Sequence, residues 1–127
     1  MPLPPFPAFD DVMKALLDDI APVVTHEDDE IPPPYIYVTR VGGRVDDAAD
    51  NPIVDLEYVA ESRAESKTLK SAGQERILAA GNTAPGGYLI DVAEENPGGG
   101  GQYIPPSQRD RRGVTATVRL SYRRPRA

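Results

Sequence analysis

His26 is the only histidine in the chain, and it stands in the run His26-Glu27-Asp28-Asp29-Glu30, so imidazole chemistry would have to begin there. A metal or acid–base site needs such a ring held by partners that fix its orientation. The flanking prolines supply none, and the segment reads as a solvated acidic loop. Asp46, Asp47 and Asp50 resemble part of a calcium loop but lack the D-x-D-x-D-G spacing and the distal glutamate. The glycine run from Gly98 to Gly101 is followed by Gln102, Tyr103, Ile104 and two prolines. A phosphate-cradling loop instead leads through lysine and a hydroxyl residue into a helix. Any serine triad would depend on His26 as base, and no G-x-S-x-G elbow is present. Asp55 and Glu57 could form a carboxylate pair, yet alternation along a half-buried strand explains them more simply. With no cysteine in the chain, disulfides, thiolate metal sites and thiol nucleophiles are excluded. The expectation is a protein that is not an enzyme and needs no cofactor or metal.

Charge is distributed unevenly. Residues 1–95 hold 19 acids and 7 bases, whereas residues 96–127 hold 7 arginines and one acid, Asp110. The arginines Arg109, Arg111, Arg112, Arg119, Arg123, Arg124 and Arg126 could follow a phosphate backbone, with Tyr103 and Tyr122 as stacking partners. They could equally meet acidic neighbours, and the net charge of −6 favours protein contacts. An acidic body with an arginine-rich end can associate head to tail with copies of itself, and such contacts close into rings where the rotation allows. The arginine-rich end thus offers Arg109, Arg111, Arg112, Arg119 and Arg123 as candidate contact residues.

These residues must be positioned by a small set of elements. Phe9, Val12, Met13, Leu16, Leu17 and Ile20 recur at helical spacing and predict an amphipathic helix that Pro22 stops. Asp18 and Asp19 lie at its unfavourable, negative end. In PPPYIYVTRVGG, three prolines restrict the entry to a strand over Tyr35 to Val41, and Gly42 and Gly43 end it. Apolar groups on both faces of that strand predict cover on both sides. Arg44 to Pro52 is a polar connection to a second strand, Ile53 to Ala60, which pairs with the first. Ser62 and Glu65 form a capping box that opens a helix running to about Ala80. Its stripe is Leu69, Ala72, Ile77 and Ala80, and Gly73 permits close approach to a sheet. A third strand covers Tyr88 to Ala93, with Tyr88, Ile90 and Val92 on one face. Val114, Ala116, Val118, Leu120 and Tyr122 alternate with polar residues in a final strand.

The length of 127 residues suits one domain. The fold class expected is α/β (α+β), with a mixed, mainly antiparallel sheet of four or more strands flanked by two helices, in the order α-β-β-α-β-β. An extended arm is expected at about 44–51 and a Gly/Pro-rich loop at about 96–113. The start, MPLPPFPAFDD, lacks the basic flank and apolar core of a signal peptide, and no apolar run approaches the roughly 20 residues that span a bilayer.

The helix FDDVMKALLDDI, the proline-led strand PPPYIYVTRVGG, the strand NPIVDLEYVAES, the capped helix beginning RAESKTLKSAGQ and the strand VTATVRLSYR together resemble the tail terminator, or tail completion, proteins of long-tailed bacteriophages. The resemblance covers about residues 7–123, and the loop over 96–113 is longer than that pattern. It implies a structural virion protein, assembled in the host cytoplasm, with six copies in a ring capping the head-proximal end of the tail tube. Its partners would be copies of itself, the tail tube protein and the head–tail connector protein, with DNA passing through the lumen without specific binding and no membrane involved. It implies no catalysis, and it makes Arg44, Asp46, Asp47 and Asp50 of the arm, with Arg109, Arg111, Arg112, Arg119 and Arg123, candidate contacts between subunits or with the tube or connector. The alternatives are another neck protein (head closure or connector joining), a nucleic-acid-binding module using the arginine-rich end, and a small ligand-binding or enzymatic α/β domain, for which no convergent polar residues are evident.

Overall fold

Hydrophobic periodicity organises this chain more than intrinsic propensity does, and the two helices show it in opposite ways. The computed structural model describes residues 6–25, 32–45, 49–95 and 113–123. Helix α1 (Phe9–Leu17) buries Val12, Met13, Leu16 and Leu17, four residues of one stripe. Asp10 and Asp11 occupy its first turn, where the helix dipole favours negative charge. The two acids at the other end have been given separate tasks. Asp18 accepts a hydrogen bond from the Val23 amide at 3.1 Å. Asp19 binds the Arg76 guanidinium at 2.8 Å.

That second contact also sets a titration. The hydrogen bond from Arg76 holds the Asp19 carboxyl below its ordinary value of 3.8. In an NMR titration Asp19 is expected to titrate below that value in the parent protein. It should return toward it in Arg76→Ala; an unchanged midpoint would show that the pair does not persist in solution.

Five strands form one sheet in the order β1-β2-β3-β5-β4. They are β1 (Val23–Val24), β2 (Tyr35–Val45), β3 (Ala49–Val59), β4 (Ile90–Glu95) and β5 (Val114–Arg123). All neighbours are antiparallel except β1 and β2, which run parallel through Val23 opposite Ile36 and Val24 opposite Tyr37. The sheet is thus mixed and mainly antiparallel, as the sequence predicts, but the short β1 adds a strand to the expected order.

The strands also differ at their ends from the sequence reading. β2 does not stop at Gly42 and Gly43; it continues to Val45, absorbing a bulge between Arg40 and Gly42. Gly43 takes a φ of +104°, and a side chain there would meet the Asn51 carbonyl oxygen and Pro52, so glycine carries the strand through rather than ending it. In β4 a bulge between Ile90 and Val92 reverses the alternation. Ile90 is fully buried while Val92 is exposed, so the two do not share a face.

One face of the sheet carries the core: Ile36, Val38, Val54, Leu56, Tyr58, Val118, Leu120 and Tyr122 cluster with Ile90 and with residues of both helices. Helix α2 (Arg63–Leu78) reaches this face by unusual means. Its Ser62 cap accepts the Glu65 amide at 3.2 Å, as the capping box predicts. Its buried residues, however, are Ser66, Gly73, Gln74 and Ile77, and Ala72 is exposed. Ser66 Oγ accepts the Ala60 amide at 3.0 Å, tying the start of α2 to the end of β3. The Tyr58 hydroxyl donates to Gln74 Oε1 at 2.7 Å. Gly73 lies over the Tyr58 ring, where a Cβ would stand 2.8 Å from the hydroxyl oxygen. Polar contacts and a missing side chain therefore do what the thin apolar stripe cannot.

Buried phenols give this core a spectroscopic signature. Burial raises the pKa of Tyr58, and burial with the nearby Asp50 charge raises that of Tyr122. Of the six tyrosines, no more than four are expected to ionise near the ordinary phenol value of about 10 in an ultraviolet titration of the folded protein. Six ionising together there would contradict this core.

Candidate assembly surface

The opposite face of the sheet presents hydroxyl, carboxylate and guanidinium groups in transverse rows. Thr39, Asp55 and Thr117 are aligned across β2, β3 and β5, and Thr117 Oγ1 lies 2.7 Å from Asp55 Oδ1. Tyr37, Glu57 and Thr115 form the next row toward the strand entry. Tyr35 and Val59 oppose each other beyond it and are buried outside the main core cluster. In the other direction comes a row of Ile53, Arg119 and Glu94.

The candidate residues separate on this frame. Arg119 and Arg123, on the exposed face of β5, bind Glu94 and Asp91 of β4, with Arg119 Nε 2.8 Å from Glu94 Oε1 and Arg123 Nε 2.9 Å from Asp91 Oδ2. Exposed pairs of this type add little stability, so both guanidiniums remain available to a further carboxylate. Arg44 is exposed near the end of β2, and its carbonyl accepts the Asn51 amide at 3.3 Å. Asp50 is otherwise engaged. Its side chain is 6% exposed, and Arg40 grips it with two bonds of 2.8 and 2.9 Å. Asp46, Asp47, Arg109, Arg111 and Arg112 lie outside the described residues, as do His26 to Glu30 and the glycine run.

A cluster unforeseen from sequence closes the far end of the core. Arg40 also donates from Nε to the Gly42 carbonyl at 3.2 Å. Tyr122 stands opposite Asp50 in the β3–β5 register. Its buried hydroxyl lies beside that carboxylate without a hydrogen bond of acceptable geometry among the described residues. The bidentate pair joins β2 to β3 across the bulge and so holds the outer part of the hairpin in line with the sheet.

Next to it, on the polar face, Gly43, Arg44, Asn51, Ile53 and Arg119 line an open cavity of about 430 Å³. It joins two guanidiniums, an amide and one apolar side chain, a set suited to a carboxylate-bearing surface. Among the described residues no group of three or more His, Cys, Asp or Glu side chains is arranged to hold a metal ion. Nor is any described helix long and apolar enough to cross a membrane.

A family model described as phage tail termination protein matches residues 5–127. None of the curated proteins matches the chain.

Proposed function

Because the chain belongs to the phage tail termination family, it is a structural component of a bacteriophage tail, and we propose that it forms a ring capping the head-proximal end of the tail tube. The family match over residues 5–127 carries this reading. The charge separation between an acidic body and an arginine-rich end supports repeated head-to-tail contact between copies.

In this reading six copies close the ring. One of its faces matches the last ring of tube subunits, and the other accepts the head connector and no further tube protein. The neck is its place in the virion, and DNA passes through the lumen without sequence-specific contact. Termination is then steric and interfacial, with no bond made or broken. The outer part of the β2–β3 hairpin, where Arg44 is exposed, is a part that reaches a neighbouring subunit.

Native mass spectrometry of the purified protein, alone and mixed with tail tubes, tests the ring. A closed six-subunit species, in solution or released from tube ends, is the expected result. A strict monomer that ignores tubes would overturn the proposal.

A further inference from the structure

We infer that Arg44 and its cavity receive the acidic β4 edge of the next copy in the ring. This rests on the ring reading above and gives it a specific contact.

The two lateral edges of the sheet carry opposite charge. From Thr39 to Val45, β2 contributes no acid and two arginines, Arg40, which Asp50 already binds, and the exposed Arg44. At the other edge β4 contributes Asp91, Glu94 and Glu95 and no base. β1 covers β2 only at Ile36 and Tyr37, and among the described residues no strand pairs with the outer side of the rest. Val41 and Val45 are 48% and 58% exposed there, and Val92 is 37% exposed on the opposite edge. Edges left uncovered in this way are where another chain docks.

Among the described residues, no carboxylate is supplied to the cavity. Its described lining residues include no acid, while Arg44 and Arg119 both face it. Arg119 is shared with Glu94 from the far side. The β4 acids of the same chain are separated from Arg44 by β3 and β5, a distance of about 14 Å at ordinary strand spacing. A carboxylate from the next copy would complete the set. In a head-to-tail ring, opposite sides of successive copies meet, which brings the acidic edge of one against the basic edge of the next. Asp91, Glu94 and Glu95 already touch Arg123, Arg119 and Gln74, respectively. A carboxylate has about four acceptor sites, so each can take a second donor. Side chains make this contact rather than a continuous backbone ladder, because Asn82 and Thr83 already bond the Ile90 backbone at the start of β4.

Arg44→Lys keeps the charge and supplies an amine for carbodiimide coupling. Rings assembled from equal amounts of isotope-labelled and unlabelled variant should yield a mixed-label amide link between position 44 and Glu94 or Glu95, found by peptide mapping. In parallel, Arg44→Glu, a change at an exposed residue, should raise the concentration needed for assembly at least tenfold. If rings form but position 44 links to other acids or to none, the inference falls and the ring reading stands. Wild-type-like assembly of Arg44→Glu has the same consequence, and its loss of duplex DNA binding alone would assign the cavity to phosphate instead. If the unmodified protein forms no ring with or without tubes, both fall together.

Discussion

Arg40→Met is expected to destabilise the protein by about 3 kcal/mol, because it leaves the Asp50 carboxylate buried and unpaired. Asp50 is 4% exposed, and both of its oxygens are held by the guanidinium. Beside it the Tyr122 hydroxyl offers no well-formed hydrogen bond in compensation. The estimate is at the low end for a broken buried pair because the Arg40 side chain is 27% exposed and water reaches one side of it. For a domain of this size such a loss lowers the melting temperature by roughly 10 °C. Replacing both partners, as Arg40→Met with Asp50→Leu, should cost about 1 kcal/mol or less, since no charge is left stranded. Calorimetry on the two variants decides the matter: equal losses would mean that the pair is not what holds the hairpin in place.

Gly73→Leu should cost about 3 kcal/mol or more by forcing α2 away from the sheet. Even a Cβ at this position overlaps the Tyr58 ring, which is fully buried. Lifting the helix also strains the 2.7 Å bond from the Tyr58 hydroxyl to Gln74. Gly73→Ala sets two effects against each other. Overpacking costs about 1–3 kcal/mol, while the better helix former returns about 1 kcal/mol, leaving a net loss of about 1 kcal/mol. Sign reversal is the sharper test. In a Tyr58→Leu background the ring is gone, and Gly73→Ala should become stabilising relative to that background. Additive behaviour in urea denaturation across this cycle would show that the two residues are not in contact.

The sequence was informative where periodicity is local. Alternation in β5 placed Val118, Leu120 and Tyr122 in the core, and S-x-x-E located the start of α2. Gly73 was legible as a point of close approach because a glycine inside a helix otherwise only weakens it. Features that depend on register were not legible. The two bulges, at Val41 and Asp91, shift alternation by one residue and leave no mark in composition. They explain why Val92 faces away from Ile90 and why β2 runs on through two glycines. β1 is two residues long and is defined only by its partner. In the sequence Arg40 is only a charged residue within a strand. Its role appears only when the hairpin register brings Asp50 within reach and the sheet order lays Tyr122 beside both. Likewise, pairing of Arg119 with Glu94 follows from β5 lying between β3 and β4, which no spacing along the chain encodes. Polar anchoring of α2 through Ser66 and Gln74 was hidden for a related reason: a buried polar residue looks like a surface one until its partner is known.

A tube elongation assay will show whether the protein ends tube growth, as proposed. Tail tube protein would be polymerised in vitro from tube seeds, with and without the purified chain, and tube lengths and ends measured by electron microscopy. Growth should stop at one end only, and the stopped ends should carry a ring of added density. Tubes that elongate from both ends at the same rate in the presence of excess protein would contradict the proposal.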